Sequence, residues 1–293
     1  MSFVATLIAG PGGEAALADV VAAAATKLHA APDWLAPRRA CDLVLEGIAL
    51  EAAEAAAHAA IGTAPIDVLV QPAGGRRKRV FVADLESTII ENEMLDELAE
   101  FAGLREHVAE ITRRAMNGQL DFAAALAERV ALLKDLPETV LAEAATRIRL
   151  MPGARVLLAT LRRAGVTTAL VSGGFTVFAE PIAAELGFDR LVANRLDIAD
   201  GRIDGTVAAP IVTREEKRDA LLALARECGV PLDATLAVGD GANDLPMLEA
   251  AGLGIAFRAK PAVAAAARWR IDHADLTALL YAQGYRETEI TMP

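Results

Sequence analysis

The chain has few aromatic residues, few cysteines and no long block of basic residues. Aromatic side chains make up 4% of its 293 residues, and much of the hydrophobic 54% is alanine. Small side chains of this kind favour packed helices over a β-sandwich. Lys and Arg number 29 against 40 Asp and Glu, which gives a formal net charge of −11. Because binding to a phosphate backbone needs concentrated positive charge, we expect no nucleic acid partner.

Cysteine pairs and membrane-spanning runs are missing as well. Cys41 and Cys228 lie far apart and neither belongs to a C-x-x-C pair, so we expect two reduced, structural thiols. The apolar stretch 14–30 is interrupted by charged residues, which predicts an amphipathic helix and not a signal peptide or a membrane span. These absences predict a cytoplasmic protein without a membrane partner.

The chain divides into two regions with different patterns. Residues 1–74 predict a small α+β domain with strands at Phe3–Ala9, Ala40–Leu45 and 66–70 and helices at 14–29 and Leu50–Ile61. The segment 72–78 contains glycines and then basic residues, as linkers do. We therefore expect a domain boundary near residue 75 and a second domain at 75–293.

The second region alternates short apolar strands with helices. The strands are predicted at Val80–Ala83, 167–171 and 235–238. This alternation is typical of an α/β fold, with a parallel sheet covered by helices on both faces. A helical insert at about 92–150 is a candidate lid, and residues 194–210 predict a hairpin that turns at Asp200-Gly201.

Polar residues follow the three strands directly, where ligands of such sheets bind. After the first strand, Asp84 could attack a phosphorus atom. Glu86 could give a proton to the leaving oxygen and then take one from water. A purely structural interpretation stays open, in which Asp84 begins a turn and Glu86 caps the next helix.

The second and third candidate sites are weak by themselves. Ser172, Gly173 and Gly174 offer a hydroxyl and backbone N–H groups to an anion, although in isolation an ordinary turn into a helix explains them better. Lys217 lies in a charged segment, where a lysine is usually solvated.

The fourth site contains Asp240, Asn243 and Asp244 after the third strand. Their oxygens are the ligand type that Mg²⁺ prefers. A nucleotide-binding glycine loop is a competing interpretation of Gly239 and Gly241, but its third glycine is missing. Combined with the earlier sites, this pattern predicts Mg²⁺ between Asp84 and Asp240, with Ser172 and Lys217 holding the transferred phosphoryl group.

Three segments and one lysine resemble the haloacid dehalogenase superfamily of phosphatases, namely DLEST at 84–88, SGGF at 172–175, Lys217, and GDGAND at 239–244. Others resemble its phosphoserine phosphatase family, namely ENEMLDE at 91–97, MNGQLDF at 116–122, Arg129-Val130, LKDLP at 133–137, and ANRL at 193–196. The likeness covers about residues 79–285. It implies a Rossmann-like core with a helical cap and hydrolysis of O-phospho-L-serine, the last step of L-serine biosynthesis, through an aspartyl-phosphate.

The resemblance also assigns roles to individual residues. It makes Asp84 the nucleophile, and it makes the backbone carbonyl of Glu86 a metal ligand. The full implied sets are Asp84, Glu86, Asp240 and Asp244 for Mg²⁺, and Glu93, Phe122, Arg129, Ser172, Gly173, Lys217 and Asn243 for the substrate. In the family, Glu93 meets the substrate ammonium, Arg129 meets its carboxylate and Phe122 closes over it. A guanidinium suits a carboxylate because it binds bidentately, although surface helix charges would also explain Glu93 and Arg129.

Glu86 departs from the family pattern, which usually has aspartate at this position. One extra methylene moves the carboxyl group, and a misplacement of roughly 1 Å can cost on the order of a hundredfold in rate. Some relatives carry glutamate here, including one type that passes phosphate to homoserine. Activity is therefore still expected, and the glutamate favours slower turnover or a different acceptor.

The N-terminal region resembles, more loosely, the ACT-like domain that precedes the catalytic domain in many bacterial relatives. Three roles stay open for it, namely binding an amino acid, forming a homodimer, or neither. Two other functions stay open for the whole chain. One is a phosphotransferase or phosphatase for another small phosphomonoester such as phosphohomoserine, and the other is a non-catalytic amino-acid sensor.

Overall fold

A computed structural model describes residues 2–116 and 120–292. Residues 117–119, part of the string 116–122, lie outside the described residues. The first region contains strands β1 (Phe3–Ala9), β2 (Pro32–Ala36), β3 (Ala40–Leu45) and β4 (Ile66–Pro72) and helices α1 (Leu17–Leu28) and α2 (Leu50–Ile61). Its strands form one antiparallel sheet in the order β2-β3-β1-β4.

The predictions for this first region are largely confirmed. The bounds of β1, β3 and α2 match, while the helix expected at 14–29 begins at Leu17. Strand β2 was missed, because it begins at Pro32 and its first three residues are exposed, as is typical of an edge strand. In α1 the buried residues Leu17, Val21, Ala24 and Leu28 recur every three or four positions, which forms one apolar face against the sheet.

A seven-stranded sheet organises the second region. Its strands are β5 (Val80–Ala83), β6 (Thr167–Phe175), β7 (Arg190–Ala199), β8 (Arg202–Ala208), β9 (Thr235–Gly239), β10 (Leu253–Phe257) and β11 (Trp269–Ile271). Their order is β11-β10-β9-β5-β6-β7-β8. Neighbours pair in parallel except for the β7–β8 hairpin. Strands β5, β9 and β10 are wholly buried, so the predicted α/β fold with a covered parallel sheet is confirmed.

Helices cover this sheet. The turn of the β7–β8 hairpin lies at the predicted residues. The helices outside the insert are α7 (Ala154–Arg163), α8 (Thr176–Leu186), α9 (Arg214–Glu227), α10 (Leu245–Ala250), α11 (Pro261–Ala266) and α12 (Ala278–Ala282). At the hairpin turn, Asp200 and Gly201 have φ angles of 49° and 72°, which suits a tight two-residue connection.

In the described part of the cap, which lies between β5 and α7, the helices are α3 (Met94–Phe101), α4 (Arg105–Met116), α5 (Phe122–Ala131) and α6 (Thr139–Ala145). The chain enters and leaves the cap through a short antiparallel ribbon. In this ribbon the Glu91 N–H donates to the Arg149 carbonyl at 2.8 Å, and the Met151 N–H donates to the Ile89 carbonyl at 2.9 Å. A second attachment joins the segment between α5 and α6 to the hairpin, where the Ile203 N–H donates to the Leu136 carbonyl at 2.9 Å.

The N-terminal sheet is bonded directly to the second region. Arg76 forms a buried ion pair with Asp42 at 2.6 Å and donates from Nε to the Ala282 carbonyl at 3.2 Å. The main hydrophobic cluster also runs across this contact, since Ile8 and Leu69 belong to the same cluster as the residues of α12. In the described part of the chain, no helix has both the length and the apolar character that crossing a membrane requires.

Candidate active site

Three neighbouring strands of the parallel sheet end at polar side chains that lie close together. Asp84 follows β5, Ser172 lies on β6 and Asp240 follows β9, and β5 is the central strand of the three. One carboxylate oxygen from each of Asp84, Asp240 and Asp244 lies within 4.8 Å of the others. All three aspartates are buried. The end of the sheet therefore unites the first and fourth candidate sites.

Lys217 lies beneath these acids and not in solvent. Its Nζ is 2.7 Å from Asp84 Oδ1 and 2.7 Å from Asp244 Oδ1, and the residue is 0% exposed. Helix α9 begins with a capping box at Thr213, which places Lys217 one turn inside the helix. Burial alone would lower the pKa of Lys217, but the two carboxylates outweigh burial and raise it. The alternative of a solvated lysine is therefore wrong, and Lys217 lies next to Asp84, within the predicted site.

The acids together carry more negative charge than Lys217 offsets. Burial, followed by the charge of Asp244, raises the pKa of Asp84 to about 7 although Lys217 opposes this. Burial is also the main reason why the pKa of Asp240 rises to about 6. Ionised acids in such a place need a cation nearby. The cluster offers hard oxygen donors, so it fits a divalent ion such as Mg²⁺.

The two oxygens of Asp244 already accept hydrogen bonds, which limits its part in such a metal site. Oδ1 pairs with Lys217, and Oδ2 accepts from the Gly241 N–H at 2.9 Å. Asp84 and Asp240 therefore offer the more available oxygens, whereas Asp244 would bind a metal only while it also orients Lys217 and the loop after β9.

A cavity of about 160 Å³ lies between this cluster and the cap. Its polar and aromatic wall consists of Asp84, Glu86, Glu93, Asp96, Phe122, Arg129, Ser172, Gly173, Phe175, Asp240, Asn243 and Lys260. Every residue of the predicted site lines the cavity except Lys217 and Asp244, which lie behind Asp84. The cavity thus brings together side chains from both the core and the cap.

A tight turn after β5 carries Glu86 into the cavity. The Leu85 carbonyl accepts from the N–H groups of both Ile89 and Ile90, at 2.8 and 2.9 Å, and Ser87 has a φ of 55°. Glu86 Oε1 accepts from the Met94 N–H at 3.2 Å, so Glu86 also contacts the first residue of α3. Burial, then the charges of Glu93 and Asp84, raise the pKa of Glu86 to about 8. At neutral pH this carboxyl group therefore keeps its proton.

Asn194 supports the loop of Ser172 and Gly173, a role that sequence reasoning did not assign. Asn194 Nδ2 donates to the Gly173 carbonyl at 2.8 Å, and Asn194 Oδ1 accepts from the Val212 N–H at 2.8 Å. A Cβ atom on Gly173 would approach the Phe122 ring to 3.1 Å. The loop therefore contacts the cap closely, and only a small residue fits there.

The cap supplies two acids, Glu93 and Asp96, and one base, Arg129, to the cavity. Glu93 Oε1 accepts from the Ser87 hydroxyl at 2.9 Å. Arg129 donates from Nε to the Ala125 carbonyl of its own helix at 3.2 Å, and burial lowers its pKa. Within the described residues the Arg129 guanidinium forms no ion pair, so its terminal N–H groups are available to an anion.

Lys260 also lacks a role in the sequence-based prediction, and it lines the cavity. It follows β10, and its N–H donates to the Asp240 carbonyl at 3.2 Å. Its Nζ lies 3.5 Å from Asp240 Oδ2. Since β10 neighbours β9, the rule that sites lie at strand ends is the one sequence signal that could have indicated it.

The comparisons with known proteins agree on one family. A model of haloacid dehalogenase-like hydrolases matches residues 81–249. The chain is 47% identical to phosphoserine phosphatase SerB2 of Mycobacterium tuberculosis over 227 residues, which are 77% of this chain and 56% of the relative. It is 41% identical to phosphoserine phosphatase of Streptomyces coelicolor over 256 residues, which are 87% of this chain and 62% of the relative. The chain thus spans about three fifths of these two relatives.

A shorter relative is matched over nearly its whole length. Phosphoserine phosphatase of Streptococcus thermophilus is 46% identical over 199 residues, which are 68% of this chain and 93% of the relative. Among solved structures, a hydrolase of the same family from Salmonella enterica serovar Typhi matches with a TM-score of 0.85 at 28% identity, covering 96% of this chain and 98% of its own. A phospho-aspartyl intermediate analogue of phosphoserine phosphatase matches with a TM-score of 0.66 at 40% identity, covering 70% and 98%.

Proposed function

This chain belongs to the family of haloacid dehalogenase-like hydrolases, and on that premise we propose that it is a magnesium-dependent phosphoserine phosphatase. It hydrolyses O-phospho-L-serine to L-serine and phosphate through an aspartyl-phosphate on Asp84. The observation that carries this proposal is the pairing of Asp84 with Lys217 at a cavity whose cap wall holds both Glu93 and Arg129. The names of the relatives support the same substrate.

In the first step Asp84 attacks phosphorus and the bond from phosphorus to the serine oxygen breaks. Lys217, 2.7 Å from Asp84 Oδ1, favours the ionised carboxylate that this attack requires. Glu86 gives its proton to the departing serine oxygen. With its pKa raised to about 8 by burial, Glu86 holds that proton at neutral pH, as a general acid must.

In the second step Glu86, now a carboxylate, takes a proton from water. The water oxygen attacks phosphorus, the bond from phosphorus to Asp84 breaks, and phosphate leaves. Ser172, the Gly173 N–H, Asn243 and Lys217 are proposed to hold the phosphoryl oxygens in both steps. Transfer of a phosphoryl group depends mainly on such positioning and on charge compensation.

Different residues are proposed to hold the metal and the amino-acid part of the substrate. Asp84 and Asp240, with the Glu86 backbone carbonyl and Asp244, are proposed to hold Mg²⁺. When bound, Mg²⁺ offsets the negative charge shared by phosphate and nucleophile. Glu93 takes the substrate ammonium, Arg129 takes its carboxylate, and Phe122 covers the bound molecule.

The domain boundary is part of the same proposal. Residues 1–74 are proposed to form an ACT-like domain and residues 75–293 the catalytic domain, with the cap at about 92–150. The separate cluster of buried residues within the N-terminal sheet and its two helices supports this division. A homodimer through this domain stays a prediction.

A second candidate is transfer of phosphate to another alcohol such as homoserine. A cleft of about 730 Å³ adjoins the cavity and shares Phe122, Arg129 and Asn243 with it. Such a cleft gives an acceptor a route to Asp84, and the longer side chain of Glu86 alters where the proton is taken up. Product analysis with homoserine present separates transfer from hydrolysis.

The decisive experiment is a phosphate-release assay with phosphoserine, phosphothreonine and phosphohomoserine, each with and without Mg²⁺. We expect release to be fastest from phosphoserine and to depend on Mg²⁺. A faster reaction with phosphohomoserine would reassign the substrate. Absence of release from all three would favour the non-catalytic amino-acid sensor.

A further inference from the structure

Lys260 connects the core to the cap through two acids. Its Nζ lies 3.5 Å from Asp240 Oδ2 in the core and 3.6 Å from Glu93 Oε1 at the beginning of the cap. The side chain is 53% exposed and lines the same cavity as Asp84. A single ammonium group is thus shared by two carboxylates that belong to different parts of the fold.

The backbone of Lys260 is fixed while its side chain has room to move. Its N–H donates to the Asp240 carbonyl at 3.2 Å, and its carbonyl accepts from the Val263 N–H at 2.9 Å in the first turn of α11. Two residues earlier, the Arg258 N–H donates to the Ile271 carbonyl at 2.7 Å. The four-carbon stem of a lysine is flexible, so Nζ can leave the two acids although the backbone stays in place.

The two acids that Lys260 contacts are the ones that must receive incoming cations. This step rests on the proposed function, in which Asp240 holds the metal and Glu93 holds the substrate ammonium. The Lys260 ammonium is chemically the same group as the substrate ammonium, so both bind the same carboxylate, that of Glu93. We propose that Lys260 is a positioning residue, a built-in counter-ion that neutralises Asp240 and Glu93 before loading and is replaced there by the metal and by the substrate ammonium.

The expected size of this effect follows from exposure and distance. Half-exposed ion pairs at such distances contribute little, so loss of one changes an affinity by about threefold. The direction is fixed by charge, because removing a resident cation makes both acids more attractive to their ligands. Lys260→Gln should therefore bind Mg²⁺ and the ammonium of the substrate more tightly, and Lys260→Arg should resemble the wild type.

The first test is calorimetric titration with Mg²⁺ alone, which requires no turnover. We expect the dissociation constant of Lys260→Gln to fall by about threefold, with Lys260→Arg close to the wild type. Lys27→Gln is a matched control, since Lys27 is an exposed lysine near the end of α1. An unchanged or raised dissociation constant in Lys260→Gln would overturn the inference for Asp240.

The second test isolates the ammonium of the substrate. In an Asp84→Asn background, binding of phosphoserine is compared with binding of 3-phosphoglycerate, which has a hydroxyl in place of the ammonium. Lys260 also attracts the phosphate of both ligands, so only the ratio of their affinities reports on Glu93. Lys260→Gln should shift that ratio towards phosphoserine by about threefold, and a ratio that is unchanged or shifts the other way would contradict the role at Glu93.

These results are separable from the proposed function. If the wild type released no phosphate from phosphoserine, the proposed substrate would be wrong, whereas the Mg²⁺ titration would still decide whether Lys260 competes at Asp240. Thermal unfolding of each variant without Mg²⁺ verifies that it is folded before its titration is interpreted.

Discussion

Asp84 must be both buried and ionised, and Lys217 reconciles the two conditions. Burial and the charge of Asp244 raise the pKa of Asp84, while Lys217 at 2.7 Å opposes this. The same lysine bonds Asp244, so one cation serves two acids. Removing one partner of such a buried group leaves a charge uncompensated, which typically costs several kcal/mol.

Asp84→Asn tests the nucleophile directly. An amide of nearly the same shape cannot form the aspartyl-phosphate, so we expect phosphate release from phosphoserine to fall by orders of magnitude. The variant should still bind phosphoserine in a calorimetric titration with Mg²⁺. Retention of a substantial part of the turnover would exclude Asp84 as the nucleophile.

Arg129→Ala tests recognition of the substrate carboxylate. The Arg129 guanidinium lines the cavity and has no ion pair in the described residues. Charged hydrogen bonds of this kind contribute about 1.5–3 kcal/mol, so KM for phosphoserine should rise by about tenfold to a hundredfold. KM for an aryl phosphate, which has no carboxylate, should change little, and equal losses on both substrates would argue against this role.

Among elements, the ribbon that joins cap and core depends on Asn92. Its Nδ2 donates to Glu97 Oε1 at 2.9 Å, and its Oδ1 accepts from the Arg149 N–H at 2.8 Å. Asn92 is buried, so each lost bond would leave a polar group without compensation. The side chain therefore fixes the first helix of the cap to the strand by which the chain returns.

Asn92→Ala should lower stability and loosen the cap together. We expect the free energy of unfolding to fall by about 1–3 kcal/mol and KM for phosphoserine to rise, measured by urea titration and by phosphate release. Arg149→Ala is a control in the same ribbon, because the Arg149 side chain forms only an exposed ion pair with Glu91. Equal effects of the two changes would contradict the inference that the Asn92 side chain fixes the cap to the ribbon.

Elements differed in how well the sequence predicted them. Strands β5 and β9 were found within one residue because each is uniformly apolar and ends at a polar residue. Strand β2 was missed because its exposed start lacks that pattern.

The same difference holds within the candidate site. Asp84 and Asp240 were predicted to meet because strand ends of one sheet lie together. The burial of Lys217 depends on where α9 packs, and the contacts of Lys260 depend on which strand neighbours β9. Neither the burial of Lys217 nor the contacts of Lys260 can be predicted from local residue patterns.

For the whole molecule, Asp67 and Arg76 bond the N-terminal sheet to the catalytic region. Asp67 accepts from the N–H groups of Asp272, His273 and Ala274, at 2.8 to 3.3 Å. Arg76 donates to Asp42 and Thr6 on one side and to the carbonyls of Tyr281 and Ala282, at the end of α12, on the other. The two regions therefore share polar contacts as well as one hydrophobic cluster.

Arg76→Ala should be strongly destabilising. It leaves Asp42 buried without its cation, and breaking a buried pair typically costs about 3–5 kcal/mol. Arg163→Ala provides an exposed arginine for comparison and should change the free energy of unfolding by less than about 0.5 kcal/mol. Urea titration of both variants measures the difference, and a small loss for Arg76→Ala would show that the contact is dispensable.

The contribution of Asp67 depends on pH. Burial raises its pKa above the usual value, although the backbone N–H groups oppose this. Because the pKa of Asp67 is raised in the folded state, the folded protein binds its proton more tightly than the unfolded chain does. The stability that Asp67 contributes is therefore complete below the unfolded pKa of about 4 and is lost as pH rises from there through the folded pKa. Relative to Asp67→Asn, the wild type should therefore gain stability as pH falls through that range, and urea titrations at pH 4 to 7 that show the opposite trend would contradict the assignment.

The bonds from Asp67 and Arg76 also limit how this chain can be recombined with its relatives. A chimera that joins two parents just after Arg76 separates Asp67 from residues 272–274 and Arg76 from the end of α12, which they bond. Such chimeras should be viable only when both parents supply complementary groups at this contact, so crossover points inside the cap ribbon are the better choice for shuffling substrate preference.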